Sequence, residues 1–295
     1  RQTFFGIPDV SKEKVLYFDI ETTGFLTGSS SIYLIGCAYY EDGNWKLRQW
    51  FAQTPDEESE ILSAFLAFAE PYSYLIHYNG NTFDLPFLRK KADKYGISYT
   101  LSSKKGLDIF RRITPYKNFL KLPDCKLKTI ESFLGIHRED IYTGGQLIQV
   151  YHDYTSSHDY DLYHTLILHN ADDMKGMLET LPILSYYDLF NCSIKASKAQ
   201  TNYYNDMHGV PRKELIIRLI FVSPLPVAIS FMGKGCHFKA EGYEGTLVIP
   251  IYEEELKYYY ANYKDYYYLP LEDTALHKSI ASFVDKAVSY THLRA

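Results

Sequence analysis

The residues best suited to chemistry in this chain are its acids. Phe18-Asp19-Ile20-Glu21-Thr22-Thr23-Gly24 sets two carboxylates two positions apart. In a strand that spacing projects both side chains to one face. Like charges held so close raise each other's pKa unless a cation lies between them. Mg²⁺, which takes oxygen ligands from one or two carboxylates plus phosphate and water, is the natural partner. A second motif, Tyr78-Asn79-Gly80-Asn81-Thr82-Phe83-Asp84, leaves a strand through a polar turn and puts Asp84 in the first turn of a helix. A third, His169-Asn170-Ala171-Asp172-Asp173, falls on a long helix. There His169 and Asp173 share a face, while Asp172 is rotated about 100° from Asp173. Singly, each motif is ordinary: a solvated strand end, a helix-dipole acid, a partly buried histidine. Together, Asp19, Glu21, Asp84 and Asp173 match what two-metal phosphoryl chemistry requires, with ions roughly 3.5–4 Å apart flanking an in-line displacement. His169 is the candidate base for the attacking water, because an imidazole changes charge near neutral pH.

These side chains need a scaffold, and the first half of the chain alternates strand and helix signals in the manner of an α/β domain. Val15 to Ile20 reads as a buried strand. Ile32 to Tyr40 and Trp45 to Phe51 read as a hairpin across Glu41-Asp42-Gly43-Asn44. A helix capped by Asp56 runs to about Ala69, packing through Ile61, Leu62, Phe65, Leu66 and Phe68. Tyr74 to Tyr78 is a short strand, and Phe83 to Tyr95 a helix stopped by Gly96. Further helices span Lys126 to Leu134, Gly145 to about Tyr154 and Tyr160 to Leu181. Beyond about Ile194 the pattern becomes β-like, with two runs, Leu215 to Val222 and Val227 to Phe231, separated by Ser223-Pro224-Leu225-Pro226. The expected organisation is therefore a catalytic domain over 10–190 and a smaller, β-containing accessory domain over 195–288, cut short. Residues 287–295 resemble a translated adapter and are expected to be a non-native tail.

Composition narrows the partners. The 295 residues are 46% hydrophobic and 23% charged, within the globular range. Thirty-one Lys and Arg against 36 Asp and Glu leave a net charge of −5, which argues against coating nucleic acid by bulk positive charge but not against a nucleic-acid enzyme with an acidic centre. The most apolar stretch, Leu215 to Phe231, holds Arg218, Pro224 and Pro226 and does not suit a membrane span. Cys37, Cys125, Cys192 and Cys236 form no CxxC pair, and a reducing cytoplasm is the expected compartment. Tyrosine is the outlier at 29 residues, eight of them between Tyr252 and Tyr268. A packed β surface is the expectation for that cluster over a base-stacking platform, since Glu253-Glu254-Glu255 beside it would repel phosphate.

On its three motifs the chain resembles the DEDD exonuclease superfamily of the ribonuclease H-like fold, and most closely its YprB-like branch, over residues 10–190. Leu127-Lys128-Thr129-Ile130-Glu131 and Gly145 to Tyr151 are similar to segments between the second and third motifs of that branch. The resemblance implies a mixed sheet, antiparallel in its first three strands and parallel beyond, flanked by helices. It also implies two Mg²⁺ or Mn²⁺ ions on Asp19, Glu21, Asp84 and Asp173, and 3′–5′ hydrolysis of phosphodiester bonds at an RNA or DNA strand end. Thr22, Gly24 and Asn79, inside the first two motifs, and Lys128 are read as substrate contacts. In the tyrosine subclass the water-orienting residue lies four before the last Asp, and in the histidine subclass five before. This chain carries a histidine at the tyrosine spacing, which leaves the identity of that residue open. Two other functions stay open as well: a catalytically weak nucleic-acid-binding or scaffolding module, and an endonuclease with the same metal core.

Overall fold

Val15, Leu16, Tyr17 and Phe18 are all buried, so the strand that carries the first motif has no wet face until it reaches Asp19. A strand covered on both sides belongs in the middle of a sheet. That is where β1 (Val15–Thr22) lies in the computed structural model, which describes residues 10–138, 142–233, 235–252, 262–269 and 271–282. Strands β2 (Ile32–Glu41) and β3 (Asn44–Phe51) extend the sheet antiparallel to one side of β1. Strands β4 (Tyr74–His77) and β5 (Lys105–Asp108) extend it parallel to the other, giving the order β3-β2-β1-β4-β5. The hairpin between β2 and β3 turns on Asp42 and Gly43, both at positive φ (53° and 83°), the backbone a two-residue turn needs to match strand twist.

Strand alternation divides the core into layers. Leu16, Phe18, Ile35 and Cys37 face α1 (Glu58–Ala69) and α2 (Asp84–Tyr95), burying Ile61, Leu62, Phe65, Phe87 and Leu88. Tyr17, Ala38, Ile76 and Leu107 face the other way, onto α3 (Ile109–Ile113), α4 (Leu127–Leu134), α6 (Tyr160–Glu179) and α7 (Ser185–Asn191). A third cluster joins Tyr33 and Leu34 to α5 (Gly144–Ser157). Helices α2 and α4 stop at Gly96 and Gly135, both left-handed. The fold is thus the mixed α/β sheet the motifs call for. Asp56 does not cap α1: it sits inside a short 3-10 turn (Pro55–Glu57), and the helix starts after it without a side-chain cap. Among the described residues no helix is long and apolar enough to cross a membrane.

The second half departs from the expected boundary at 190–195. The chain divides into the compact units Arg1–Pro250 and Ile251–Ala295, so the sheet β6 (Lys195–Asn205), β7 (Pro211–Gly233), β8 (Cys236–Ile251) falls largely in the first. The reason is a shared core. The Tyr186 hydroxyl on α7 donates to the Val227 carbonyl at 2.6 Å and accepts from the Val227 N–H at 3.1 Å. Ser223 Oγ donates to Asp188 at 2.7 Å, and Phe221, Leu225 and Ala240 join the cluster that holds Met177 and Leu184. The change in pattern near Ile194 marks a change of secondary structure and not the end of a core. Nor do Pro224 and Pro226 break the strand: β7 runs through them, beyond Ile220, which pairs with Lys195 at the end of the ladder to β6. In the second unit β9 (Tyr266–Leu269) and β10 (Thr274–His277) form an antiparallel hairpin, with Tyr266, Tyr267 and Tyr268 half-buried. Residues 253–261, with the acidic run and part of the tyrosine cluster, and the tail 287–295 lie outside the described residues.

One buried ion pair anchors the loop that follows the first motif. Lys91 on α2 meets Glu58 on α1 at 3.0 Å, both essentially without solvent contact, and also donates to the Ser30 carbonyl. Glu58 in turn accepts from the Ile32 N–H at 2.7 Å and the Tyr95 hydroxyl at 2.6 Å. Lys91→Ala leaves Glu58 charged and buried, and should cost roughly 3–5 kcal/mol in urea unfolding. The double variant Glu58→Gln/Lys91→Met should recover much of that loss.

Candidate active site

The register of β1 places Asp19 opposite Gly36 and Glu21 opposite Leu34 on β2. Gly36 is required by what crosses it: a Cβ there would stand 1.9 Å from the side-chain oxygen of Asn170 on α6. Asn170, fully buried, donates through Nδ2 to Asp19 Oδ2 at 3.1 Å. Its own oxygen accepts from Gln49 on β3 at 3.0 Å, and Gln49 donates equally to the Ile167 carbonyl. The amide of Asn170 is therefore held in one sense, with its NH₂ toward the acid.

Asp84, the first residue of α2, is tied to the same strand. Its Oδ1 accepts from the Ile20 N–H at 3.2 Å, between the two acids of β1. The turn that delivers it is bracketed by Asp108. The Asn79 and Asn81 N–H groups donate to the two oxygens of Asp108 at 3.0 and 3.2 Å, and the Arg111 N–H donates to it at 3.2 Å, capping α3. Asn79 stands at φ 61°, and a Cβ on Gly80 would strike the His77 ring at 2.7 Å. Beneath the turn, His77 is fully buried 3.7 Å from Asp108, and burial pulls its pKa down to about 4 against the attraction of that acid. Asp108 acts here as a support for the second motif.

Helix α6 supplies the rest. His169 Nε2 lies 3.6 Å from Glu21 Oε1 and 3.5 Å from Asp173 Oδ2. Ligand atoms of Glu21, His169 and Asp173 all fall within 4.8 Å of one another. Burial pushes the Asp19 carboxyl well above the usual range, and the charges of Asp84, Glu21 and Asp173 push it further, against the Asn170 hydrogen bond. Acids from three separate elements thus act on one carboxyl. Asp84 is pushed up to about 7 by burial, opposed by its backbone hydrogen bonds and reinforced by Asp108. Carboxylate oxygens with one imidazole suit a hard divalent ion such as Mg²⁺ or Mn²⁺, and the mutual repulsion at Asp19 is what such a cation relieves.

The expected substrate contacts are engaged within the chain. Thr22 Oγ1 donates to the Gly24 carbonyl at 2.8 Å, and a Cβ on Gly24 would meet Ser30 Oγ at 2.6 Å. Asn79 contributes the turn backbone, and Lys128 donates to the Tyr142 carbonyl. Sequence reasoning gave no role to Asn170, Gln49, Glu131 or Arg138. Asn170 had a signal, lying between His169 and Asp173. Arg138 had none: Nη2 donates to Asp173 Oδ1, and Nη1 donates to both oxygens of Glu131 at 3.3 and 3.1 Å.

Residues 16–182, more than half of the chain, match the family model of the RNase_H superfamily. A DNA polymerase of Thermococcus hydrothermalis is 31% identical over 158 residues, 44% of this chain, and the match spans 9% of that polymerase. Among solved structures, the family B DNA polymerase of Pyrobaculum calidifontis aligns at a TM-score of 0.48 and 17% identity, covering 59% of this chain and 25% of that one. Exonuclease I of E. coli in complex with a 5cy-dA13 oligonucleotide aligns at 0.40 and 11% identity, covering 71% and 55%.

The raised Asp84 carboxyl has a pH consequence. Its folded pKa, about 7, exceeds the ordinary carboxylate value of 3.8. Between these values the folded state holds the proton that the unfolded chain has released, so stability falls as pH rises through this window. Without divalent ions, Asp84→Asn should remove a decline of roughly 2–4 kcal/mol between pH 4 and 7. Urea unfolding of both proteins across that range measures it; parallel curves would refute it.

Proposed function

Because the chain belongs to the RNase_H superfamily, we propose that it is a metal-dependent nuclease, a 3′–5′ exonuclease of the YprB-like kind acting on an RNA or DNA strand end in the cytoplasm. The observation that supports this reading is the meeting of Asp19, Glu21, Asp84 and Asp173, drawn from β1, α2 and α6, with His169 between Glu21 and Asp173. A binding module gains nothing from such mutual repulsion.

In this proposal the four acids hold Mg²⁺ or Mn²⁺. Bound there, the ions would lower the pKa of the attacking water and offset the charge that builds on the phosphate and on the leaving oxygen. The protein's own groups do the rest. Asn170 and the Ile20 N–H fix Asp19 and Asp84 so that little reorganisation is left for the reaction. His169 Nε2 takes the proton of the water, and the imidazolium formed is stabilised by Glu21 and Asp173. Thr22, Gly24, Asn79 and Lys128 are the proposed contacts to the strand backbone.

A 5′-labelled single strand with Mn²⁺ should shorten stepwise from its 3′ end, a circular strand should survive, and a chelator should stop the reaction. Asp19→Ala, folded by circular dichroism, should be inactive. His169→Ala should lose about 10²–10⁴-fold in kcat. Asn170→Ala, which removes the support of Asp19 together with the Gln49 contact, should lose about 10–100-fold. Wild-type protein inert on RNA and DNA alike refutes the nuclease reading, and cutting of the circle replaces exo- by endonuclease action.

A further inference from the structure

One side chain inside the acid cluster is a cation. Arg138 spans the gap between α4 and α6: Nη1 reaches both oxygens of Glu131, and Nη2 donates to Asp173 Oδ1. The guanidinium side chain is 9% exposed and that of Glu131 1%, so both charges are held out of water. Room for Glu131 is built in. A Cβ on Gly176, one turn beyond Asp173 on α6, would overlap Glu131 Oε1 at 1.7 Å. The two oxygens of Asp173 are thus divided: Oδ1 faces Arg138, while Oδ2 faces His169 at 3.5 Å, with Glu21 3.6 Å from the same nitrogen.

From this division we infer that Arg138 is a resident counter-cation that competes with the divalent ion for Asp173 and thereby sets the ion concentration at which the site fills. The inference rests on the proposed role of Asp173 as an ion ligand and adds what governs its affinity. Two cations at one carboxylate repel, so an arriving ion meets Asp173 already partly neutralised, with Oδ2 the oxygen left to it. Glu131 decides that Arg138 stays. A guanidinium held by two hydrogen bonds to a buried carboxylate is not released when Asp173 turns to the ion, because freeing it would leave Glu131 charged in the protein interior without that pairing. The arrangement also lets the acid cluster fold before any ion is present, since one of its charges is already matched.

The test is a calorimetric titration of Mn²⁺ into the full chain at low ionic strength, together with melting curves with and without Mn²⁺. Removing a competing positive charge should tighten binding, so Arg138→Ala should lower the Mn²⁺ Kd by about tenfold relative to wild type. Its melting temperature should fall without Mn²⁺ and recover by a larger increment when the ion is added. Arg138→Gln, neutral but able to donate to both carboxylates, should tighten Mn²⁺ likewise and carries the test if the alanine variant does not fold. Arg138→Lys, which keeps the charge, should stay near wild type. A Kd unchanged or raised in the neutral variants, against clear uptake by wild type, overturns the role of Arg138 alone. Absence of uptake by wild type and variants overturns it together with the metal reading.

Discussion

Charge repulsion inside a poorly solvated pocket is the constraint around which this structure is arranged. Asp19, Glu21, Asp84 and Asp173 face one another with little water to screen them, and the carboxyl of Asp19 is pushed far up as a result. Nothing in packing alone favours that. The cluster holds together because the surrounding fold fixes three of these acids. Asp19 is held by Asn170, Asp84 by the Ile20 amide and Asp173 by Arg138. Each of these partners sits on a different element, so loosening any one would let an acid swing toward solvent.

The supports are themselves supported, and glycines mark where. Gly36, Gly80 and Gly176 leave the space through which Asn170, His77 and Glu131 pass. In each case a methyl group would collide with a side chain that reaches or braces the cluster. Asp108 offers the same logic with hydrogen bonds in place of space. Its carboxylate gathers three backbone N–H groups and so sets the turn from which Asp84 emerges. A buried carboxylate satisfied by backbone donors is a rigid bracket, and groups fixed in advance act on a charge without having to reorganise.

The β-rich segment after α7 shows how a core can ignore a change of pattern. Tyr186 and Asp188 on α7 reach β7, and Phe221 and Leu225 fill the same apolar layer as Met177. Strand β6, exposed along its whole length, contributes pairing to this sheet and little to the core.

What the sequence determined by itself was local. Buried runs, the Asp42-Gly43 hairpin, the helix stops at Gly96 and Gly135 and the order of the acidic motifs all follow from periodicity and backbone preference within a few residues. The face shared by Asp19 and Glu21, and that shared by His169 and Asp173, are likewise consequences of strand and helix repeat. Only the tertiary structure decided which polar residues brace those acids. Asn170 meets Asp19 across 151 positions and Gln49 across 121, and Arg138 reaches Asp173 across 35. Neither spacing nor propensity encodes such meetings, because they arise from the registry of one packed layer on another. For the same reason, the continuity of β7 through two prolines and the joining of its sheet to the first core were settled by which strand edges and apolar faces came to lie against each other.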